Sequence, residues 1–345
     1  MRHAARRPSR STLPFCIVAT LGACAAQDGP GLVGDYVGQP LPGDTAELFA
    51  PGLVTTGVYT RDVAMMPDGS ALYFGVLLGP VAAIVETHRG PDGVWTEPEV
   101  APFSTDSRFF NLEPAIAPDG SRFMFLSTRV EGRSPEPDEL RAWSNEDIWV
   151  MDREGDRWGE PYNLGAPVNT DQAEFFPSLT RDGTLYFTRG SGDGEESYIY
   201  RSRLEGGRYQ EPERLGPEVN STPNQFNAFI APDEGYLIVC TGDREDSVGG
   251  TDYYVVFRSP DDRWSEPINL GDRVNTPGDG EFSPFVSPDG RYFFFMSTRL
   301  GARDRIPDTL TWKYIREYRM MPEIGNAGIY WMDASFIERL RPAGF

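Results

Sequence analysis

Pro118-Asp-Gly-Ser-Arg-Phe-Met-Phe-Leu-Ser-Thr-Arg129 and Pro288-Asp-Gly-Arg-Tyr-Phe-Phe-Phe-Met-Ser-Thr-Arg299 lie over each other without a gap and agree at eight of twelve positions. Agreement of that quality within one chain marks an internal repeat. The same turn, followed by an aromatic run, recurs at Pro67-Asp68-Gly69 and Arg181-Asp182-Gly183, and with one extra residue at Pro232-Asp233-Glu234-Gly235. The five aspartates are 51, 63, 51 and 56 residues apart. Proline presets φ for the first turn position, and glycine takes the left-handed backbone that a tight β-connection needs. Each copy therefore reads as a turn between two strands.

Two more elements complete the repeat. An aromatic-x-Glu-Pro string stands at Trp95 to Pro98, Trp158 to Pro161, Tyr209 to Pro212 and Trp264 to Pro267. Three of these run on into Leu-Gly-x-x-Val-Asn-Ser/Thr, at Leu164 to Thr170, Leu215 to Ser221 and Leu270 to Thr276. Between turn and string lies a third strand, seen as Asp147-Ile148-Trp149-Val150, Tyr198-Ile199-Tyr200, Asp252-Tyr253-Tyr254-Val255 and Ile329-Tyr330-Trp331-Met332. Four short strands per unit follow. Runs such as Phe293-Phe294-Phe295-Met296 lack polar alternation, so both faces of the sheet need cover. Sheets stacked radially as propeller blades supply it, whereas a β-sandwich leaves alternate residues in water. The predicted fold is an all-β propeller of four-stranded blades, five in number, with six as the alternative. The last repeat lacks an outer strand, and Phe49 to Thr56 is expected to supply it, closing the ring and removing two sheet edges.

The Pro-Asp-Gly-aromatic turn, the Asp-Ile-Tyr/Trp strand and the Trp-x-x-Pro-x-x-Leu-Gly tail resemble the TolB-like, WD40-like β-propeller repeat family. The resemblance covers roughly residues 49–341, with departures at Gly328, where other copies carry aspartate, and at Glu234. It implies the fold and an exported location. One activity does not follow from it.

The first residues agree with export. Arg2, Arg6, Arg7 and Arg10 precede an apolar stretch from Leu13 to Ala23, of signal-peptide length and too short to span a bilayer. Leu21-Gly22-Ala23-Cys24 resembles a lipobox, which implies acylation of Cys24 and anchorage by lipid alone. Ala25 after it is compatible with sorting to the periplasmic side of the outer membrane; the alternative is an ordinary cleavable signal with a chance cysteine, and a periplasmic or extracellular protein. Residues 1–23 are thus expected as signal peptide, 24–48 as a flexible Gly/Pro-rich tether, and 49–341 as the propeller, with a helix near 308–320 capped by Asp308.

The chain carries 32 Lys+Arg against 52 Asp+Glu, and without its first 23 residues, which hold four Arg and no acid, the balance is 28 − 52 = −24. Such a field repels nucleic acid and anionic lipid. Beyond Cys24 only Cys240 remains, so no disulfide framework forms within the monomer, and its apolar setting reads as burial. His88 is the one histidine past the signal, too few for a histidine-rich zinc site. No Gly-x-Ser-x-Gly elbow and no phosphate-binding loop occurs. Acidic runs such as Asp193 to Glu196 and Asp279 to Glu281 read as solvated turns, able at most to bind Ca2+ weakly; no other cofactor is expected.

Antiparallel order puts the long insertions, Val130 to Glu146 and Leu300 to Gly328, on one face of the ring, where recognition usually sits. That face also gathers polar residues at the start of each first strand, and Asp62, Asn111, Glu113, Glu174, Gln225 and Glu281 are the candidate channel-mouth residues. They are read either as a site for a cation, amine or peptide, or as blade-to-blade hydrogen bonding. The expected function is a non-catalytic envelope scaffold, monomeric, that binds a protein or peptide partner. The alternative is a glycan-binding or glycan-active propeller that uses mouth carboxylates such as Glu113, Glu174 and Glu281.

Overall fold

The computed structural model describes residues 32–345 apart from 131, 133–135, 137–142, 192–193, 279 and 302–306. Cys24 and the signal segment lie outside the described residues. The chain forms five antiparallel sheets arranged as blades. Blade 1 holds β2 (Tyr59–Met65), β3 (Ala71–Leu78), β4 (Val81–His88) and β5 (Glu99–Val100). The strand ahead of it in the chain, β1 (Glu47–Leu48), belongs to blade 5. Blade 2 holds β6 (Asn111–Ile116), β7 (Arg122–Ser127), β8 (Asp147–Glu154) and β10 (Tyr162–Asn163), with β9 (Arg157–Trp158) also paired to β8. Blade 3 holds β11 (Glu174–Leu179), β12 (Leu185–Gly190), β13 (Ser197–Ser202) and β16 (Glu213–Arg214), beside a small hairpin of β14 (Leu204–Glu205) and β15 (Arg208–Tyr209). Blade 4 holds β17 (Gln225–Ile230), β18 (Tyr236–Gly242), β19 (Thr251–Phe257) and β20 (Ile268–Asn269). Blade 5 holds β21 (Glu281–Val286), β22 (Tyr292–Ser297) and β23 (Gly328–Asp333), completed by β1. The inner strands β2, β6, β11, β17 and β21 contact one another in a closed circle. Five blades, not six, make the ring.

The repeat motifs are turn and edge chemistry. In each turn the aspartate accepts the backbone N–H two residues on, from Ser70, Ser121, Thr184, Gly235 and Arg291, at 2.9 to 3.1 Å. Glycine takes φ of 69 to 84° in four turns, and Glu234 takes 58° in the fifth. Glutamate is kept there by its carboxylate, which accepts from Tyr186 Oη at 2.8 Å and Arg258 Nη1 at 2.7 Å. The asparagine of Leu-Gly-x-x-Val-Asn acts as a surrogate strand. Asn169, Asn220 and Asn275 each accept from and donate to the backbone of one residue in the neighbouring strand, Ile148, Ile199 and Tyr253, at 2.8 to 3.1 Å. Asn275→Ala is therefore expected to leave a buried N–H and C=O unpaired and cost about 2–3 kcal/mol, read as a shift in the urea midpoint. A cost near zero would deny the motif this role.

Closure differs from expectation in register. The closing strand is β1, with Glu47 opposite Trp331 and Leu48 opposite Tyr330, two residues earlier than the expected Phe49–Thr56 segment. Phe49 N–H adds one bond to Ile329 O at 2.8 Å. Residues 50–56 instead turn away, and Thr55 Oγ1 donates to Ile329 O at 3.1 Å. The flexible tether expected through residue 48 is likewise corrected from Leu32 onward. Trp95 Nε1 donates to Gly34 O at 2.7 Å, and Val37 is fully buried. Tyr36 packs between blades 5 and 1, with its ring 4.9 Å from Tyr292 and 5.5 Å from Trp331 and its hydroxyl on Asp289 at 2.9 Å. Hydrophobes spaced among the glycines fill the wedge between first and last blades. The chain thus joins the ring on the face of the Asp-Gly turns.

Helix α1 spans Trp312–Tyr318, and its cap is Thr311, whose hydroxyl accepts from Tyr314 N–H at 3.1 Å, instead of Asp308. An N-cap side chain bonds the N–H two or three residues on, and Asp308 is too early for this helix. Helix α2 (Ser335–Arg339) follows the last strand and buries Ile337. No helix among the described residues is long and apolar enough to cross a membrane.

Candidate functional site at the channel mouth

Every inner strand carries a bulge at the same place. The register breaks between Arg61 and Val63, Leu112 and Ala115, Phe175 and Ser178, Phe226 and Phe229, and Phe282 and Phe285. The bulge residues Asp62, Glu113, Phe176, Asn227 and Ser283 all have φ between 49 and 69°. Left-handed backbone at non-glycine residues costs about 1–2 kcal/mol each, so something repeats around the ring to offset it. That something is a belt of hydrogen bonds from blade to blade. Glu113 N–H donates to Asp62 Oδ2 at 3.2 Å, and Phe176 N–H donates to Glu113 Oε2 at 2.7 Å. Asn227 N–H donates to Thr188 Oγ1 at 3.0 Å, and its amide reaches Ser283 Oγ at 3.4 Å. Ser283 Oγ closes the belt by donating to Asp62. Backbone donors freed by the bulges are thereby satisfied.

The belt separates two cavities along the axis. On the side of the Asp-Gly turns lies an apolar one of about 180 Å³, walled by Val63, Pro114, Pro177, Phe229 and Pro284. On the loop side lies a bowl of about 200 Å³, lined by Arg61, Glu113, Glu146 and Asn227 with Phe175, Phe226, Phe282 and Trp143. Arg61 holds the bowl together. Its Nε donates to Asp62 Oδ1 at 2.9 Å, its Nη2 to Glu113 Oε1 at 2.7 Å, and its guanidinium lies 4.8 Å over the Phe282 ring.

One guanidinium faces three carboxyl groups, so the bowl carries negative charge or retains protons. Burial pushes Glu113 up to about 8; Arg61 pulls it down, while Asp62 and Glu146 push it further up. Burial pushes Glu146 up to about 7 against the pull of Arg61. For Arg61 itself burial opposes the charge, but Asp62 and Glu113 outweigh it and raise the pKa. Such an arrangement suits a cation or a hydrogen-bond acceptor, according to the protons it holds.

Of the six sequence-predicted residues, Asp62 and Glu113 meet at this bowl. The other four turn into their own blades. Glu174 accepts from Thr170 N–H at 2.9 Å, Thr170 Oγ1 at 2.6 Å and Arg189 Nε at 2.7 Å. Glu281 accepts from Thr276 Oγ1 and, at 2.9 Å, from Ser297 Oγ, and burial pushes it up to about 7. Gln225 is held by Thr222, and Asn111 accepts from Ser127 Oγ at 2.9 Å. The physical reason is that the axis meets the edge of each inner strand, not its face. The residue two before each bulge residue lies over its own sheet, whereas the one directly before it, Arg61 in blade 1 and Phe175 in blade 3, faces the bowl. Arg61, Glu146 and Trp143 were not anticipated. Arg61 had a usable signal, since Leu112, Phe175, Phe226 and Phe282 fill its column and it is the one charged residue there.

Elsewhere, Cys240 is buried, with its thiol pushed up by burial and donating to Asn227 O at 3.6 Å. His88 Nε2 stands 3.3 Å from Glu86 Oε1. Among the described residues no three His, Cys, Asp or Glu side chains are grouped to hold a metal ion.

No family model matches the chain, and no curated protein does. Solved structures similar to it include a putative TolB from Agrobacterium tumefaciens, 16% identical over 70% of each chain, with a TM-score of 0.44. TolB from Acinetobacter baumannii is 16% identical over 80% of this chain and 57% of that one, with a TM-score of 0.44. Native arabinanase from Bacillus subtilis is 13% identical over 79% of this chain and 93% of that one, with a TM-score of 0.46. At these identities the likeness is one of fold. The protein is a five-bladed β-propeller.

Proposed function

We propose that the chain is an exported cell-envelope scaffold, anchored by lipid at Cys24, that recognises a protein or peptide partner with its loop-rich face. The bowl carries this reading. It joins carboxyl groups in excess over its one guanidinium to aromatic walls, the combination that holds a basic or aromatic anchor side chain of a partner. The Leu300 to Gly328 insertion on the same face adds exposed apolar side chains, Leu310, Trp312, Ile315 and Met320, with Trp312 72% exposed. Its far end is pinned to blade 1, where Asn326 Nδ2 donates to Gly57 O at 2.9 Å. Large apolar groups left in water on a well-packed ring point to a surface that is covered in use.

The test is capture from envelope extracts, followed by affinity measurement with the partner so identified. Replacing residues 309–321 by a Gly-Ser linker, and separately Glu146→Gln, is expected to weaken that affinity about tenfold or more with the melting temperature retained. Unchanged affinity in both variants would remove this reading. Cys24→Ser is expected to move the protein from the membrane fraction to the soluble periplasm.

A second reading rests on one observation. Glu113, pushed up to about 8 and set beside Asp62, holds the proton that a general acid needs for glycan cleavage. On that reading Glu113→Gln abolishes glycan turnover, and turnover that survives the change removes it.

A further inference from the structure

The belt between the two axial cavities leaves one acceptor unused. Asn227 is 1% exposed, and it lines the bowl but not the apolar cavity on the far side of the belt. Its amide has a single orientation open to it. Ser283 has one hydroxyl hydrogen, which goes to Asp62, so toward Asn227 the Ser283 oxygen can only accept. Nδ2 therefore faces Ser283 Oγ at 3.4 Å, and Oδ1 is left buried without a partner. The carboxylates of the belt are spoken for. Asp62 accepts from Arg61, Ser283 and Glu113 N–H, and Glu113 accepts from Arg61 and Phe176 N–H. A buried carbonyl oxygen with no donor is costly, and a donor brought in from the bowl relieves it.

The walls of the bowl select the kind of donor. Glu146, just ahead of β8 in blade 2, brings a carboxyl group to the bowl. Arg61 shares its charge between Asp62 and Glu113, at 2.9 and 2.7 Å, which shields a second cation from it. Phe175 and Phe226 line the space beside these groups, and the Phe226 ring centre lies 6.2 Å from that of Phe282. Aromatic faces attract a cation and cover an alkyl stem. Glu146 and Asn227 belong to blades 2 and 4, which are not neighbours in the ring, so the two acceptors approach from different sides. A planar guanidinium matches acceptors held side by side, whereas an ammonium, with three diverging donors, bridges separated ones. A quaternary ammonium carries the charge but has no N–H for Oδ1.

We propose that the bowl takes a primary ammonium on an unbranched alkyl stem, the side chain of a lysine in the partner, with its nitrogen between Asn227 Oδ1 and Glu146 and its stem along Phe175 and Phe226. This rests on the scaffold reading above and names the anchor that reading calls for. Calorimetric titration of the full chain with Nα-acetyl-lysine methylamide tests it, beside the same probe acetylated or trimethylated at the side-chain nitrogen. Saturable binding of the free amine is expected, about tenfold or more tighter than that of either modified probe. Asn227→Gly keeps the left-handed φ of 49° and the backbone bond to Thr188 while removing the acceptor. It should erase the preference for the free amine over the trimethylated probe, and Glu146→Gln should weaken both of these about tenfold. No binding of the free amine, equal binding of the trimethylated probe, or a preference that persists in folded Asn227→Gly would each overturn the proposal. The scaffold reading is judged apart from it, by the affinity of the captured partner for the variant with residues 309–321 replaced, where a lysine probe has no part.

Discussion

Arg61→Met is expected to destabilise the ring by about 3–5 kcal/mol at pH 8, and by much less at pH 5. Methionine keeps the apolar stem over Phe282 but leaves Asp62, Glu113 and Glu146 around a bowl with no cation. The pH dependence follows from which state holds more protons. Glu113 and Glu146 are raised to about 8 and about 7 in the folded chain, whereas an unfolded glutamate titrates near about 4.3. Below that value both states are protonated and the stability is fully present. As pH rises toward 8 the unfolded chain releases protons that the folded ring retains, so wild-type stability declines across that window. Without Arg61 the folded carboxyls move higher still, and the decline becomes steeper and reaches further. Urea midpoints of both proteins at pH 5 and pH 8 read this directly. A deficit of the same size at both pH values would show that Arg61 acts by packing alone.

Trp331→Ala should cost about 3–5 kcal/mol and act first on closure. Trp331 is fully buried in the last blade, with Phe49 and Tyr292 rings at 5.2 Å and Phe294 at 5.5 Å. Its backbone also pairs with Glu47 in the two-residue closing strand. So short a strand depends on side-chain packing more than on its own ladder. Trp331→Phe should cost far less, under about 1.5 kcal/mol, because the ring is kept and an indole N–H without a partner is removed. Hydrogen exchange at the Phe49 amide should accelerate in Trp331→Ala with the Ile238 amide in blade 4 changing less. Equal acceleration at both would mean that the ring opens as one unit and that closure is no weaker than the rest.

The blades were readable from the chain because their signals are local. Asp119 and Asp289 fix turns within three residues, and Trp-x-Glu-Pro marks an outer strand without knowledge of its partner. The wedge was not readable, since Tyr36 finds Asp289 and Tyr292 across more than 250 residues. Closure was placed two residues late for the same reason: Glu47 and Leu48 gain their meaning only opposite Trp331 and Tyr330. At the bowl, period-two reasoning treated Asp62 and Glu174 alike. The bulge breaks that period, sending Asp62 to the belt and Glu174 to Thr170 and Arg189. Glu146 comes from a long insertion, whose path no repeat encodes.

The belt at the bulges makes the channel two-ended in chemistry: a molecule that reaches it from the loop side meets Arg61, Glu113 and Glu146, whereas one that reaches it from the side of the Asp-Gly turns meets a wall of Pro114, Pro177 and Pro284.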